Sequence, residues 1–307
     1  MSGMRVVAAL GGNALLRRGE APTLATQRRN LAAAAEALAG IARDHALVLT
    51  HGNGPQIGLL ALQAMAAADA AGPEAPPLDV LGAESEGLIG YLIERELRPH
   101  LPGRAIATLL TQTEIDPADP AFAAPSKPIG PVLAPAVARR LAAARGWSLA
   151  PDGDGLRRVV PAPEPRRILE IDALRLLVEQ GVTVVCAGGG GIPVAVGPAG
   201  EVRGVEAVID KDLAAALLAV ELEADALLLL TDVPAVLRDW GTDTAAPIAR
   251  ATPAALRRIA FAPGSMAPKV EAACRFVEAT GAVAAIGALD AADALLRGDA
   301  GTIVAGA

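Results

Sequence analysis

Of the 27 basic residues in this 307-residue chain, three are lysine and the remaining 24 are arginine. Lys127, Lys211 and Lys269 each stand in a junction carrying proline, glycine or aspartate: "SKPIGP", "IDKDLA" and "GSMAPKVE". A lysine ammonium is a compact, mobile point charge, whereas a guanidinium is a rigid planar fork. Charge that migrates with a phosphoryl group between two small substrates favours the point charge. One such lysine alone reads as an ordinary solvated side chain. Three of them, all beside turns in an arginine-rich chain, point to phosphoryl chemistry. Asp210 and Asp212 flank Lys211, so that one of them holds the ammonium, and the plainer role for Asp212 is a helix N-cap.

Glycine-rich turns supply the complementary donors. "GGN" (11–13), "HGNG" (51–54), "GGGG" (188–191) and "TD" (231–232) each follow an apolar run. Close glycines such as Gly11, Gly12, Gly52 and Gly54 let backbone N–H groups approach phosphate oxygens, and a following helix N-terminus adds a favourable dipole. Asn13 and Asn53 add side-chain donors. Both familiar nucleotide signatures fail: GxxxxGK[ST] is absent, and "GGNALLRRGE" does not fit GxGxxG. His51 sits in a glycine-bounded turn, where support of the backbone is its plainer role, and His45 and His100 carry no functional signal.

These turns need a scaffold that brings them together. "RVVAALGG", "ALVLTHGNGPQ", "AIATLLTQ", "TVVCAGGGG", "ALLLLTDV" and "AVAAIG" read as buried strands, continuous in apolar residues. Helical stretches alternate with them: "TQRRNLAAAAEALAGIARD", "ESEGLIGYLIERELRPHL", "RILEIDALRLLVEQG" and "PKVEAACRFVEATG". Strand, helix, strand at this spacing implies parallel pairing, with ligands beyond the carboxyl ends of the strands. Residues 114–168 break the rhythm. Their prolines, around the helical "AVARRLAAARG", suit an excursion from the sheet such as a small flap.

Composition bounds the rest. The hydrophobic share is 52% with only 2% aromatics, which fits alanine-rich helices packed closely on a sheet. A net charge of −7 leaves no basic surface for nucleic acid. Cys186 and Cys274 form no metal or CxxC spacing and suit a reduced interior. No apolar run approaches a membrane span, and "MSGMRVVAALGGNALL" does not read as a signal peptide, so a cytoplasmic protein is expected.

The chain resembles the carbamate kinases of the amino acid kinase family. The resemblance runs through "ALGGNALL", "LTHGNGPQIG", "GAESEGLIGYLIE", "SKPIGPV", "RRVVPAPEP", "CAGGGGIPV", "VEAVIDKDLAAALLA", "LLLLTDV", "GSMAPKVEAACRFVE" and the closing "GTIVAG". It implies an α/β fold: a three-layer αβα sandwich around a mainly parallel eight-stranded sheet. Residues 1–307 would form one amino acid kinase-like domain, with a protruding subdomain at about 116–165. It implies a homodimer and reversible phosphoryl transfer between ATP and carbamate, with Mg²⁺ on the nucleotide and flux toward ATP in arginine fermentation. Lys211 and Lys269 fall on the phosphate-binding lysines, Asp212 on the organising aspartate and Lys127 on the protrusion lysine. Gly11, Gly12, Asn13, Gly52, Asn53 and Gly54 fall on the loops around the transferring group. Asp210, Thr231, Asp232, Ser265 and Met266 lie toward the nucleotide. Ala267 and Leu156 depart from the family's glycine and tryptophan, which bears on the loop carrying Lys269 and on the packing of the flap. Two alternatives stand beside this reading: a relative phosphorylating another acceptor, and a non-catalytic regulatory or amino-acid-binding protein on the same scaffold.

Overall fold

The structure is a computed structural model that describes residues 3–12, 16, 20, 23–72, 74–261 and 266–306. The chain opens with β1 (Arg5–Leu10), α1 (Leu24–Asp44), β2 (Ala46–His51), α2 (Gly54–Ala71) and α3 (Leu78–Leu97). Next come β3 (Ile106–Thr108), β4 (Gln112–Ile115), β5 (Lys127–Leu133), α4 (Pro135–Arg145), β6 (Ser148–Asp152), β7 (Gly155–Val160) and β8 (Pro165–Ile168). The middle of the chain holds α5 (Ile171–Glu179), β9 (Thr183–Val185), β10 (Ile192–Val196), β11 (Val202–Gly204), α6 (Lys211–Glu221) and β12 (Ala226–Thr231). After the short pair β13 (Leu237–Arg238) and β14 (Ala246–Pro247) come β15 (Arg250–Ala251), α7 (Pro253–Leu256) and α8 (Met266–Thr280). β16 (Val283–Ala288), α9 (Ala292–Arg297) and β17 (Thr302–Val304) close the fold.

Eight strands form the main sheet in the order β15-β17-β16-β12-β1-β2-β9-β3. Only the β16–β17 pair is antiparallel. The pleat sends alternate residues to opposite faces. Val7, Ala9, Leu227 and Leu229 face one core with α5, α6 and α8, whereas Val6, Ala8, Leu10, Leu228 and Leu230 face a second core with α1, α3 and α9. Two cores with a sheet between them make the αβα sandwich. Small residues line both, including Ala34, Ala35, Ala215 and Ala219, so the helices sit close to the strands.

Two segments differ from their sequence reading. "AIATLLTQ" divides into β3 in the main sheet and β4 in a separate four-stranded sheet, β11-β10-β4-β8. The division falls where Leu109 N–H bonds Val185 C=O and Thr111 N–H is taken by a side chain of α3, which ends the ladder. "RILEIDALRLLVEQG" begins as the end of β8 and turns helical only at Ile171, because Ile168 pairs with Thr113 of β4.

Within the proline-rich stretch, β5, β7 and β6 make an antiparallel sheet of their own, with α4 inserted between β5 and β6. This sheet meets the rest of the chain through an apolar cluster, in which Ile129 and Val160 pack with Ile57, Ala61 and Leu81, and through a close backbone approach. A Cβ on Gly58 of α2 would lie 1.9 Å from the Gly130 Cα of β5, and Gly130 itself has φ +70. Only glycine at both positions allows that approach. Arg158 of β7 lies over the Trp147 ring at 4.9 Å and reaches Glu206 at 3.6 Å, whose other oxygen accepts the Leu78 N–H that opens α3.

Candidate active site

Parallel register aligns the ends of the central strands. Leu10 is level with Leu230 on one side and His51 on the other, so Gly11, Gly52 and Thr231 emerge side by side. Gly11 N–H bonds Leu230 C=O and Gly52 N–H bonds Leu10 C=O, both at 3.0 Å, which locks the three turns together. A cleft of about 220 Å³ opens above them. First-turn residues of α2, α6 and α8 line it, so three positive helix ends converge there. β5 covers the opposite side with Lys127, Pro128 and Ile129.

The three lysines meet in this cleft. Asp212 accepts from Lys211 through Oδ1 at 2.5 Å and from Lys269 through Oδ2 at 3.0 Å. Lys127 crosses from β5 to Asp210 Oδ2 at 2.5 Å. Asp210, not Asp212, is the helix N-cap: its Oδ1 accepts the Asp212 and Leu213 N–H groups, and α6 starts at Lys211. Helical geometry gives the reason, since a residue inside the first turn cannot reach forward to cap it. Asp212 is thereby free to bridge two cations.

Burial sets the electrostatics. It pushes the Lys211 ammonium down to about 8, against the pull of Asp212, and the neighbouring Lys269 charge acts in the same direction as burial. For Asp212, burial alone would favour the neutral acid, but the two ammonium groups outweigh it and hold the carboxyl well below the usual range. His51 is fully buried. Desolvation lowers it to about 4, so it is neutral, with Nδ1 against Gly52 C=O at 3.3 Å and no partner for Nε2 among the described residues. It supports the turn.

Gly11, Gly12, Gly52, Asn53, Gly54, Thr231 and Asp232 line the cleft as the sequence suggests. Met266 does not: it packs on the core of α5, α6 and α8. Asn13 and Ser265 lie outside the described residues. Ala267 falls in the first turn of α8 with ordinary negative φ, so this position does not require glycine. The sequence reading missed Ser85 and Glu86 of α3, both fully buried behind the cleft. Both fall at helical spacing on the stripe of α3 that carries Leu78, Leu81, Ile89 and Leu92, and polar residues on that apolar stripe are the signal that points to them.

Residues 4–287 match the amino acid kinase family. A carbamate kinase of Rhizobium meliloti is 53% identical over 304 residues, spanning 98% of this chain and 93% of the relative. The chain belongs to the amino acid kinase family, among its carbamate kinases. Carbamate kinase of Giardia lamblia bound to citric acid superposes with a TM-score of 0.92 at 39% identity, covering 99% of both chains. The same protein bound to AMP-PNP gives 0.90 at 39% identity, again covering 99% of both. The fold of this chain, with its eight-stranded sheet, is therefore one it shares with carbamate kinases.

Proposed function

We propose that the chain catalyses reversible phosphoryl transfer between ATP and carbamate, giving ADP and carbamoyl phosphate. One observation carries the reading: Asp212 clamps two buried lysines at the convergent strand ends, and a third lysine faces them from β5. In the direction of ATP formation, the terminal oxygen of ADP forms a bond to phosphorus while the bond from phosphorus to the carbamate oxygen breaks. The attacking oxygen and the leaving carbamate are both anions, so no general acid or base is required. What is required is fixed positive charge where negative charge spreads. Lys211 and Lys269 supply it, with N–H groups of the glycine turns and the amide of Asn53. Asn13 joins them on this reading, and Thr231, Asp232 and Ser265 stand toward the nucleotide. Lys127 exchanges Asp210 for the acyl end of the substrate.

The donor set accommodates Mg²⁺ only on the phosphates. Both oxygens of Asp212 and both of Asp210 are already engaged by lysines or the helix cap, and the described residues offer no cluster of three acidic or metal-ligating side chains. When bound with nucleotide, Mg²⁺ neutralises phosphate charge.

The physiological direction follows as part of the same proposal: ATP formation during arginine catabolism, in the cytoplasm, where two buried free cysteines stay reduced. No helix among the described residues is long and apolar enough to cross a membrane. Residues 116–165 act as a protruding unit carrying Lys127. The exposed face of α3 supports a homodimer, with Val80, Leu88 and Tyr91 at 42%, 43% and 57% exposure and Leu110 beside them at 48%. Sedimentation equilibrium should give twice 30.9 kDa for the wild type and a monomer for Leu88→Glu.

A coupled assay of ATP formation from carbamoyl phosphate, ADP and Mg²⁺ tests the central proposal. Rapid turnover is expected. Turnover of a different acyl phosphate alone would replace the substrate, and ligand binding without turnover would favour a non-catalytic protein on this scaffold.

A further inference from the structure

Behind the cleft, α3 presents two consecutive polar residues to the two turns that line it. Ser85 is fully buried, and its hydroxyl donates to Gly82 C=O at 2.8 Å. That commits its only proton, so toward Asn53 the oxygen can only accept, and it takes the Asn53 Nδ2–H at 2.8 Å. The carboxamide of Asn53 is thereby fixed in one of its two flips. Nitrogen faces Ser85, and Oδ1 and the second N–H remain for the cleft that Asn53 lines.

Glu86 does the same for the glycine turn that follows β9. Its Oε1 accepts the Gly188 N–H at 2.8 Å, and its Oε2 accepts the Thr111 N–H at 3.1 Å. Thr111 in turn accepts the Ala187 N–H through its hydroxyl at 3.0 Å. Gly190 and Gly191 N–H groups close back on Ala187 and Gly188 carbonyls. Among the described residues, the Gly189 N–H alone in this turn has no partner, and Gly189 lines the cleft. Gly189 has φ +67 and lies flat on the Asn53 amide, where a Cβ would fall 2.2 Å from Nδ2. Two adjacent residues of one helix turn therefore hold two neighbouring donors from the same side.

We propose that Ser85 and Glu86 are positioning residues for phosphoryl transfer, fixing the Asn53 carboxamide and the Gly188–Gly191 turn so that Asn53 and the Gly189 N–H meet the oxygens of the transferring group. The proposal rests on the phosphoryl-transfer reading above. Neither side chain touches substrate; each acts through a group that does. Free backbone donors count in such a site because they are aimed before the reaction begins and need no reorganisation during it.

Ser85→Ala and Glu86→Gln test the proposal in the full-length protein. Alanine suits a helix interior, so Ser85→Ala should melt close to wild type. It should lower kcat about tenfold while the KM for ADP stays within about twofold, as expected when donor geometry is lost and ground-state binding is kept. Glu86→Gln keeps one acceptor but turns an NH₂ toward the other N–H, and should lower kcat by about 10- to 100-fold. A role confined to folding would not produce the decisive signature, which is coupling. In an Asn53→Ala background, Ser85→Ala should change kcat by less than about twofold, because its partner is gone. Wild-type kcat in both single variants, or an undiminished tenfold loss for Ser85→Ala in that background, would overturn the positioning role alone. A folded wild type that forms no ATP would instead overturn the phosphoryl-transfer reading and the positioning role with it.

Discussion

Replacing Asp212 by asparagine removes one charge from the centre of the cleft and almost no volume. Its oxygens hold Lys211 at 2.5 Å and Lys269 at 3.0 Å. At an effective dielectric of about 20, an ion pair near 3 Å is attractive by about 5–6 kcal/mol before desolvation. That corresponds to about four pKa units. Lys211 stands at about 8 with Asp212 in place, so the variant holds it neutral at pH 7. Loss of one fixed charge from a preorganised site costs about 2.7–4 kcal/mol in the transition state, or about 100- to 1,000-fold in kcat. The N-cap survives, because Asp210 makes it through the backbone N–H of residue 212. In the coupled ATP-forming assay, kcat/KM of Asp212→Asn at pH 7 should fall by that factor, since kcat/KM reports the free enzyme. Between pH 8 and 6 it should rise about tenfold per unit as the charged fraction of Lys211 recovers. Wild type should change little between pH 7 and 6. A variant within tenfold of wild type at pH 7, or a loss independent of pH, would refute the assignment of Asp212 as the charge that sustains both lysines.

Wild-type kcat/KM should decline above about pH 8 as Lys211 loses its proton in the free enzyme, and the kcat limb should lie higher because bound phosphates favour the ammonium. The sign for stability is opposite. The folded pKa is depressed, so the unfolded chain binds more protons between about 8 and the ordinary lysine value, and this group's contribution to stability rises with pH across that window in chemical denaturation. Lys127→Ala should raise the KM for carbamoyl phosphate about tenfold, a loss of about 1.4 kcal/mol, and leave the KM for ADP within about twofold in steady-state kinetics. Gly58→Ala should cost about 1–3 kcal/mol by overpacking against Gly130, lowering the melting temperature together with carbamoyl phosphate use. Gly40→Ala in α1, where a Cβ meets nothing within 4 Å, should leave both measurements unharmed.

The parts of this fold that follow from local pattern were legible. Buried strands without polar alternation required helices on both faces, and two separate cores on β1 and β12 meet that requirement. The scarcity of lysine singled out Lys127, Lys211 and Lys269, and all three line one cleft. Partnership was less legible. Whether Asp210 or Asp212 capped α6 depended on a two-residue difference in where the helix starts, and the Lys127–Asp210 pair joins positions 83 apart in sequence. Ser85 and Glu86 stood out as polar residues on an apolar stripe, but their role was hidden for a different reason. Their partners are backbone N–H and amide groups of other segments, and no side-chain pattern records where a turn will leave a donor.

The backbone contact between Gly58 and Gly130 also sets the mechanics of the site. Lys127 lies three residues from Gly130 on the same strand, a lever arm of about 10 Å at ~3.3 Å per residue. Neither glycine has a side chain to slide or compress, and Ile129 beside Gly130 packs with Ile57 and Ala61 of α2, so β5 cannot lift away without separating two main chains and opening that cluster. A rotation of about 10° would carry the base of Lys127 through less than about 2 Å along such an arm. That is enough to exchange a carboxylate for a ligand oxygen at the ammonium, and far less than is needed to uncover the cleft. On this geometry the strand trims the final position of one charge.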